Sequence, residues 1–283
     1  MKFRFEGNIS DIMPGVQLLL PELGIEISED GIPVHVEGSK GDLEVGFEGS
    51  QAYIRYGRKH QFFRGLGLLI QHSRKSDSFH IQEKQQFDNI GPMFDLSRNA
   101  VLTVDSFKLM LNKMALMGMS TVMLYMEDTY EIADEPYFGY MRGRYSHEEL
   151  KEIDDYADQF GIEAFPSIQT LAHLEEFLKW EPVRHYKDTK GALLVGSEQT
   201  HSLIERMIDA ASAPFRSKKI HDTALQVCKK EGIREVYATM WGDDGNEGNP
   251  FAALLGLQLY AEHAYTEEKP TQAGRSSTSV TAV

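Results

Sequence analysis

The chain has 283 residues, 41% of them apolar, and one cysteine, Cys228, so it can bury a sizeable core but close no internal disulfide. With 29 basic against 43 acidic residues the net charge is −14, which argues against nucleic acid or an anionic membrane surface as a partner, since phosphate would be repelled. No N-terminal run reads as a signal peptide, and the most apolar stretches, "LGLLI" and "FAALLGLQLYA", are too short to span a bilayer. A cytoplasmic protein without membrane contact is therefore expected.

Residues 1–85 read as a small α+β domain. "MKFRFEG" alternates, with Phe3 and Phe5 on one face. "GIEISEDGIPVHVEG" predicts a hairpin turning near Asp30-Gly31, and "LEVGFEG" and "AYIRYG" continue the alternation. "FFRGLGLLIQHS" predicts a short helix.

From about residue 86 strands and helices alternate. "NIGPMFDLS" is a strand and "SFKLMLNKMALMG" a helix with Phe107, Met110, Leu111, Met114 and Met117 on one face and Gly118 as its C-terminal cap. The strand "STVMLYM" precedes "SHEELKEIDDYADQFG", a helix with a capping box at Ser146 and Glu149, ended by Gly161. "IEAFPSI" is a third strand, "SEQTHSLIERMIDAAS" a helix, "SKKIH" a short fourth strand, "DTALQVCKKEG" a helix and "IREVYATMW" a fifth strand. Asn249 and Pro250 cap and start a last helix, "FAALLGLQLYAEHA". The polar tail, residues 266–283, has no periodicity and is expected to be disordered.

This alternation implies a parallel sheet flanked by helices, either an open doubly wound sheet or a barrel. The turn "FDLSRN" lacks the glycines of a dinucleotide site. A barrel carries chemistry at the C-terminal ends of its strands, and here those ends hold Asp95 and Arg98, Glu127 and Asp128, Gln169 and His173, His221, and Trp241, Asp243 and Asp244. Singly, each has a plain reading: Asp95–Arg98 as a local salt bridge, Glu127 and Asp128 as loop or cap carboxylates, His173 as a structural histidine. "GDDGNEG" lacks the spacing of a calcium loop, and no histidine or cysteine pair is spaced for zinc, so no metal or cofactor is expected. Together, an aromatic residue, an arginine, a histidine and carboxylates at one face of one sheet have the composition of a saccharide pocket.

These stretches resemble glycoside hydrolase family 20, the β-N-acetylhexosaminidases, in its intracellular bacterial branch. "GPMFDLSRN" resembles the first-strand motif, "VMLYMEDTYEI" the second, "FPSIQTLAHLE" the third and "ATMWGDDGNE" the eighth. The resemblance implies a (β/α)8 barrel of the TIM type preceded by a small α+β domain, and a retaining, substrate-assisted hydrolase of terminal GlcNAc or GalNAc. It implies that Arg98 holds ring hydroxyls, that Asp128 and His173 support the general acid, and that Trp241 and Asp243 bind the sugar.

The sequence departs from the family after the fourth strand. The family's catalytic Asp-Glu pair belongs there, but His221 and Asp222 are followed by Thr223, so no catalytic residue is identifiable and enzymatic activity is uncertain. Glu127 and Asp244 are the conceivable stand-ins. Strands five to seven are missing as one block, and the roughly 180 residues from 86 to 265 fall short of the ~250 typical of eight units. The expected architecture is an incomplete barrel, with the fourth and fifth strands pairing directly or leaving edges open. Three functions follow as alternatives: an impaired hexosaminidase, a non-catalytic N-acetylhexosamine binder, or a self-associating fragment, with homo-oligomers forming through the exposed edge.

Overall fold

The computed structural model describes residues 1–98, 100–222, 235–240 and 280–282. The first six strands are β1 (Lys2–Gly7), β2 (Glu26–Ile27), β3 (Ile32–Gly38), β4 (Leu43–Glu48), β5 (Ala52–Tyr56) and β6 (Ser78–Glu83), with helices α1 (Met13–Leu23) and α2 (Lys59–Ser73). They form one sheet in the order β2-β1-β3-β5-β4-β6. β4 and β5, the two stretches read as continuing the alternation, pair antiparallel, but the predicted Asp30-Gly31 hairpin does not form. β2 and β3 both run parallel to β1, on opposite sides of it. The turn carries the chain across the end of β1, and Gly31 lies so close to the Phe3 backbone that a Cβ would come within 2.6 Å of it. α1 is absent from the sequence reading because two prolines interrupt "MPGVQLLLPEL". Pro14 sits in the first turn, where a proline costs nothing, and Gly24 in the left-handed region (φ 60°) ends the helix.

The second sheet contains β7 (Asn89–Asp95), β8 (Thr121–Met126), β9 (Glu163–Ile168), β10 (His221–Asp222), β11 (Glu235–Met240) and β12 (Val280–Ala282). Helices α3 (Val104–Met117), α4 (His147–Asp158), α5 (Glu175–Leu178) and α6 (Glu198–Ser212) connect them. The order is β10-β9-β8-β7-β11-β12, parallel except at the last pair. As described, the sheet does not close on itself. β11 does not pair with β10, the direct pairing weighed above; it lies beside β7, as the last strand of a barrel lies beside the first. β12 pairs antiparallel with its other edge, so three residues of the tail expected to be disordered form a strand. An unpaired strand edge presents a row of backbone donors and acceptors, which this segment takes up. Of the predicted helix "DTALQVCKKEG" only Asp222 is described, as the end of β10; the rest of it, with Cys228, and the predicted helix that Asn249 and Pro250 start lie outside the described residues.

The local signals are where the sequence places them. Gly118 (φ 76°) caps α3, and Ser146 Oγ accepts from Glu149 N (3.2 Å) while Glu149 Oε2 accepts from Ser146 N (2.8 Å). Ser146→Ala is expected to lower stability by about 1 kcal/mol in urea denaturation, with no change in the far-ultraviolet spectrum. One apolar cluster runs through both sheets, joined where Phe63 of α2 meets Phe160 edge to face at 5.1 Å. Glu22 of α1 accepts from Asn112 and pairs with Lys113, both on α3. No helix among the described residues is long and apolar enough to cross a membrane.

Candidate sugar-binding site

Strand alternation gives the second sheet two faces. Phe94, Leu124 and Ile168 join the core beneath the helices, while Met93, Met123, Tyr125 and Phe165 make a separate buried cluster on the opposite face. The parallel register arranges that second face in layers. Met93, Met123 and Phe165 lie side by side, and above them Asp95, Tyr125, Ser167 and His221. Filled layers of this kind line barrel interiors.

Arg98 stands over the upper layer. Its Nη1 donates to Asp95 Oδ2 at 2.9 Å, its Nη2 lies 3.2 Å from Glu127 Oε1, and its guanidinium sits 5.2 Å from the Tyr125 ring centre. The Asp95 side chain is fully buried and also accepts from the backbone of Ser97. Tyr125 Oη donates to Glu127 Oε1 (3.1 Å) and accepts from Gln169 Nε2 (3.0 Å). The Glu127 backbone donates to Ser97 Oγ at 2.7 Å, which fixes the loops after β7 and β8 to each other. On the neighbouring strands Ser167 Oγ and His221 Nδ1 are 2.9 Å apart.

Burial raises the pKa of Glu127, and Arg98, the Tyr125 hydroxyl and His173 oppose that rise. Tyr125 is pushed up to about 12 by burial and by the Glu127 charge. Burial works against the Arg98 charge, but hydrogen bonds to Asp95 and Tyr125 outweigh it and raise its pKa. The result is a fixed cation held by two carboxylates.

Asp128 lies apart from this cluster. It is almost fully buried and its pKa is raised by that burial, with Arg142 opposing. Arg142 Nη1 is 3.3 Å from Oδ1, an ion-pair distance, but neither carboxylate oxygen makes a hydrogen bond. His173 is exposed, with its backbone in the left-handed region (φ 59°). Asp128 and His173 are not hydrogen-bonded to each other, so the described structure does not join the two residues read as one supporting network. Trp241, Asp243 and Asp244 lie outside the described residues. Tyr125 and Arg142 were not singled out in the sequence. Tyr125 was findable, since it alternates with Met123 and Glu127 on one face; Arg142 carries no such signal. Among the described residues no group of three or more His, Cys, Asp or Glu side chains is placed to hold a metal ion.

No protein-family model matches the chain, and no curated protein matches its sequence. Solved structures do match. A β-N-acetylhexosaminidase from Bacteroides fragilis is similar with a TM-score of 0.62 at 17% identity, over 78% of this chain and 51% of that one. A family 20 exo-β-N-acetylglucosaminidase from Vibrio harveyi, in complex with N-acetylglucosamine, gives 0.66 at 15% identity, over 93% and 49%. A mutant Streptomyces plicatus β-hexosaminidase in complex with the product GlcNAc gives 0.64 at 18%, over 77% and 54%. The chain thus has the fold of part of these family 20 proteins and spans about half the length of each.

Proposed function

We propose that this chain is a family 20 type protein that recognises terminal N-acetylhexosamine, and that its own turnover is impaired. In this reading residues 1–85 are the small α+β domain, and residues 86–265 are a barrel from which strands five to seven and the catalytic Asp-Glu have been lost by an internal deletion. The observation that carries the reading is Arg98, gripped by Asp95 and Glu127 over Tyr125 at the C-terminal ends of adjacent parallel strands. Arg98, with Trp241 and Asp243, binds the sugar. Asp128 and His173 are remnants of the support for an acid that the chain no longer contains, and Asp128 now pairs with Arg142.

In the complete reaction the acetamido carbonyl of the substrate attacks its own anomeric carbon, and one carboxyl group protonates the leaving oxygen and then activates water. No cofactor enters. Loss of general acid–base catalysis alone typically costs about 10²–10⁴-fold. Arg98 and Tyr125 both engage Glu127 Oε1 and oppose the rise in its pKa, which works against Glu127 as a stand-in for the acid.

Purified protein incubated with 4-nitrophenyl N-acetyl-β-D-glucosaminide is expected to release no 4-nitrophenol above background, while saturation-transfer NMR detects bound N-acetylglucosamine that Arg98→Ala abolishes. Sustained release that disappears with Arg98→Ala would show an unrecognised acid and sink the impairment. Protein that melts cooperatively yet binds no N-acetylglucosamine would sink the sugar-binding reading itself.

A further inference from the structure

Gln169 follows β9 directly and stands among the polar residues at the strand ends, yet the sugar-binding reading gives it no role. It is 6% exposed. Its backbone N–H donates to the Met126 carbonyl at 3.3 Å, which continues the pairing of β8 and β9 one residue past the strands. That register brings the side chain to Tyr125, where Nε2 donates to Oη at 3.0 Å. Any acceptor would satisfy a buried amide. What sets this one apart is the bond on the other side of the hydroxyl.

A phenol hydroxyl has one proton to give and lone pairs to accept with. Three groups approach Tyr125 Oη: Gln169 Nε2 at 3.0 Å, Arg98 Nη2 at 3.5 Å and Glu127 Oε1 at 3.1 Å. Of these three the two nitrogens can only donate, so the hydroxyl accepts from them and gives its proton to Glu127. A hydroxyl that accepts a hydrogen bond becomes a stronger donor, because each bond in the chain polarises the next. Gln169 therefore strengthens the bond from Tyr125 to Glu127, and the same Glu127 oxygen lies 3.2 Å from Arg98 Nη2. Turned over, the amide would set a carbonyl against the hydroxyl and compete with Glu127 for its proton.

We propose that Gln169 is a positioning residue of the Arg98 site: through the Tyr125 hydroxyl it keeps Glu127 on the guanidinium, and so sets how far the pH can fall before Arg98 loses one of its two carboxylates. The inference rests on the sugar-binding reading for what Arg98 does, and on the geometry alone for how Arg98 is held. The charged and titratable groups acting on Glu127 are Arg98, Tyr125, Asp95 and His173. Arg98, the Tyr125 hydroxyl and His173 favour its ionised form, and Asp95 opposes them. Gln169 is uncharged, so its effect on Glu127 passes through the hydroxyl.

The test follows the Glu127 carboxyl carbon by NMR through a pH titration, beside calorimetry with N-acetylglucosamine at pH 7. Gln169→Met keeps the size of the side chain and removes the donor; Tyr125→Phe keeps the ring and removes the hydroxyl. Each is expected to move the Glu127 titration to higher pH, Tyr125→Phe further, and the double variant should match Tyr125→Phe alone. Each should weaken N-acetylglucosamine binding about fivefold, and the double variant no more than Tyr125→Phe. Packing alone would leave the titration in place and make the two losses add. A titration that Gln169→Met leaves unmoved or moves to lower pH, or a double variant that shifts beyond Tyr125→Phe, overturns the positioning role. If the titration moves as expected while the unmodified protein binds no N-acetylglucosamine, the sugar-binding reading falls and Gln169 still stands as the residue that holds Glu127 on Arg98.

Discussion

Arg98→Ala is expected to lower stability at pH 7 by about 3 kcal/mol, the lower end of what breaking a buried ion pair costs, since Arg98 itself keeps some solvent contact. The effect is large because the arginine serves two carboxylates. Asp95 is fully buried and Glu127 nearly so, and without the guanidinium their charges face each other with no cation between them. The deficit should shrink on acidification. Burial already raises the folded-state pKa of Glu127, with Arg98 opposing, so removing Arg98 raises it further. A carboxyl whose folded pKa lies above its unfolded value favours the folded state once protonated, and that contribution is lost as pH rises through the folded pKa. Urea denaturation of both proteins at pH 7 and pH 4.5 should show the gap narrowing at the lower pH, and adding Glu127→Gln should recover part of the loss at pH 7. Equal stability of Arg98→Ala and the unmodified protein at pH 7 would mean that Arg98 does not hold these carboxylates.

The second large effect is acid sensitivity at the junction of the two sheets. His60, at the start of α2, is 2% exposed, and its Nε2 lies 3.0 Å from Gln85 Oε1, in the link between β6 and β7. Gln61 Nε2 reaches the same oxygen at 3.1 Å, and Gln85 in turn donates to the Phe87 carbonyl. Arg58 donates to the Asp88 carbonyl, so the whole link is fastened to the beginning of the helix. Burial, with the nearby Arg58 charge adding to it, lowers the His60 pKa to about 4 although Gln85 opposes the change. The unfolded chain takes up a proton near pH 6.5 and the folded one does not until about pH 4. Stability is therefore unaffected by this group above pH 6.5 and falls by up to about 3 kcal/mol between there and pH 4. His60→Gln keeps a donor without a titrating ring, so its stability should fall less over the same interval. Parallel curves for the two proteins between pH 7 and pH 4 would exclude His60 as the cause.

Much of the second sheet was legible because its signals are local. The stripe on α3, the Ser146–Glu149 box and glycines 118 and 161 each act within a few residues, and each is where the sequence reading expected it. The first sheet was less legible for the opposite reason. Whether two alternating segments pair with each other or on either side of a third depends on the third, and β1 takes the place between β2 and β3. The sheet edges behaved in the same way: β11 chose β7 over β10.

By itself the sequence determined the alternation of β7, α3, β8, α4 and β9, the caps of α3 and α4, and which polar residues stand at the ends of those strands, since these follow from periodicity and short-range hydrogen bonding; α1 and β12 were not legible in it. It also determined that no Asp-Glu pair follows His221. Only the tertiary structure decided the partners: Arg98 bridging Asp95 and Glu127, and Asp128 taken by Arg142 and left without His173. A charge buried by the fold takes whichever counter-charge the packed chain brings within a few ångströms, and that distance is set by strand register and loop turns, not by spacing along the sequence.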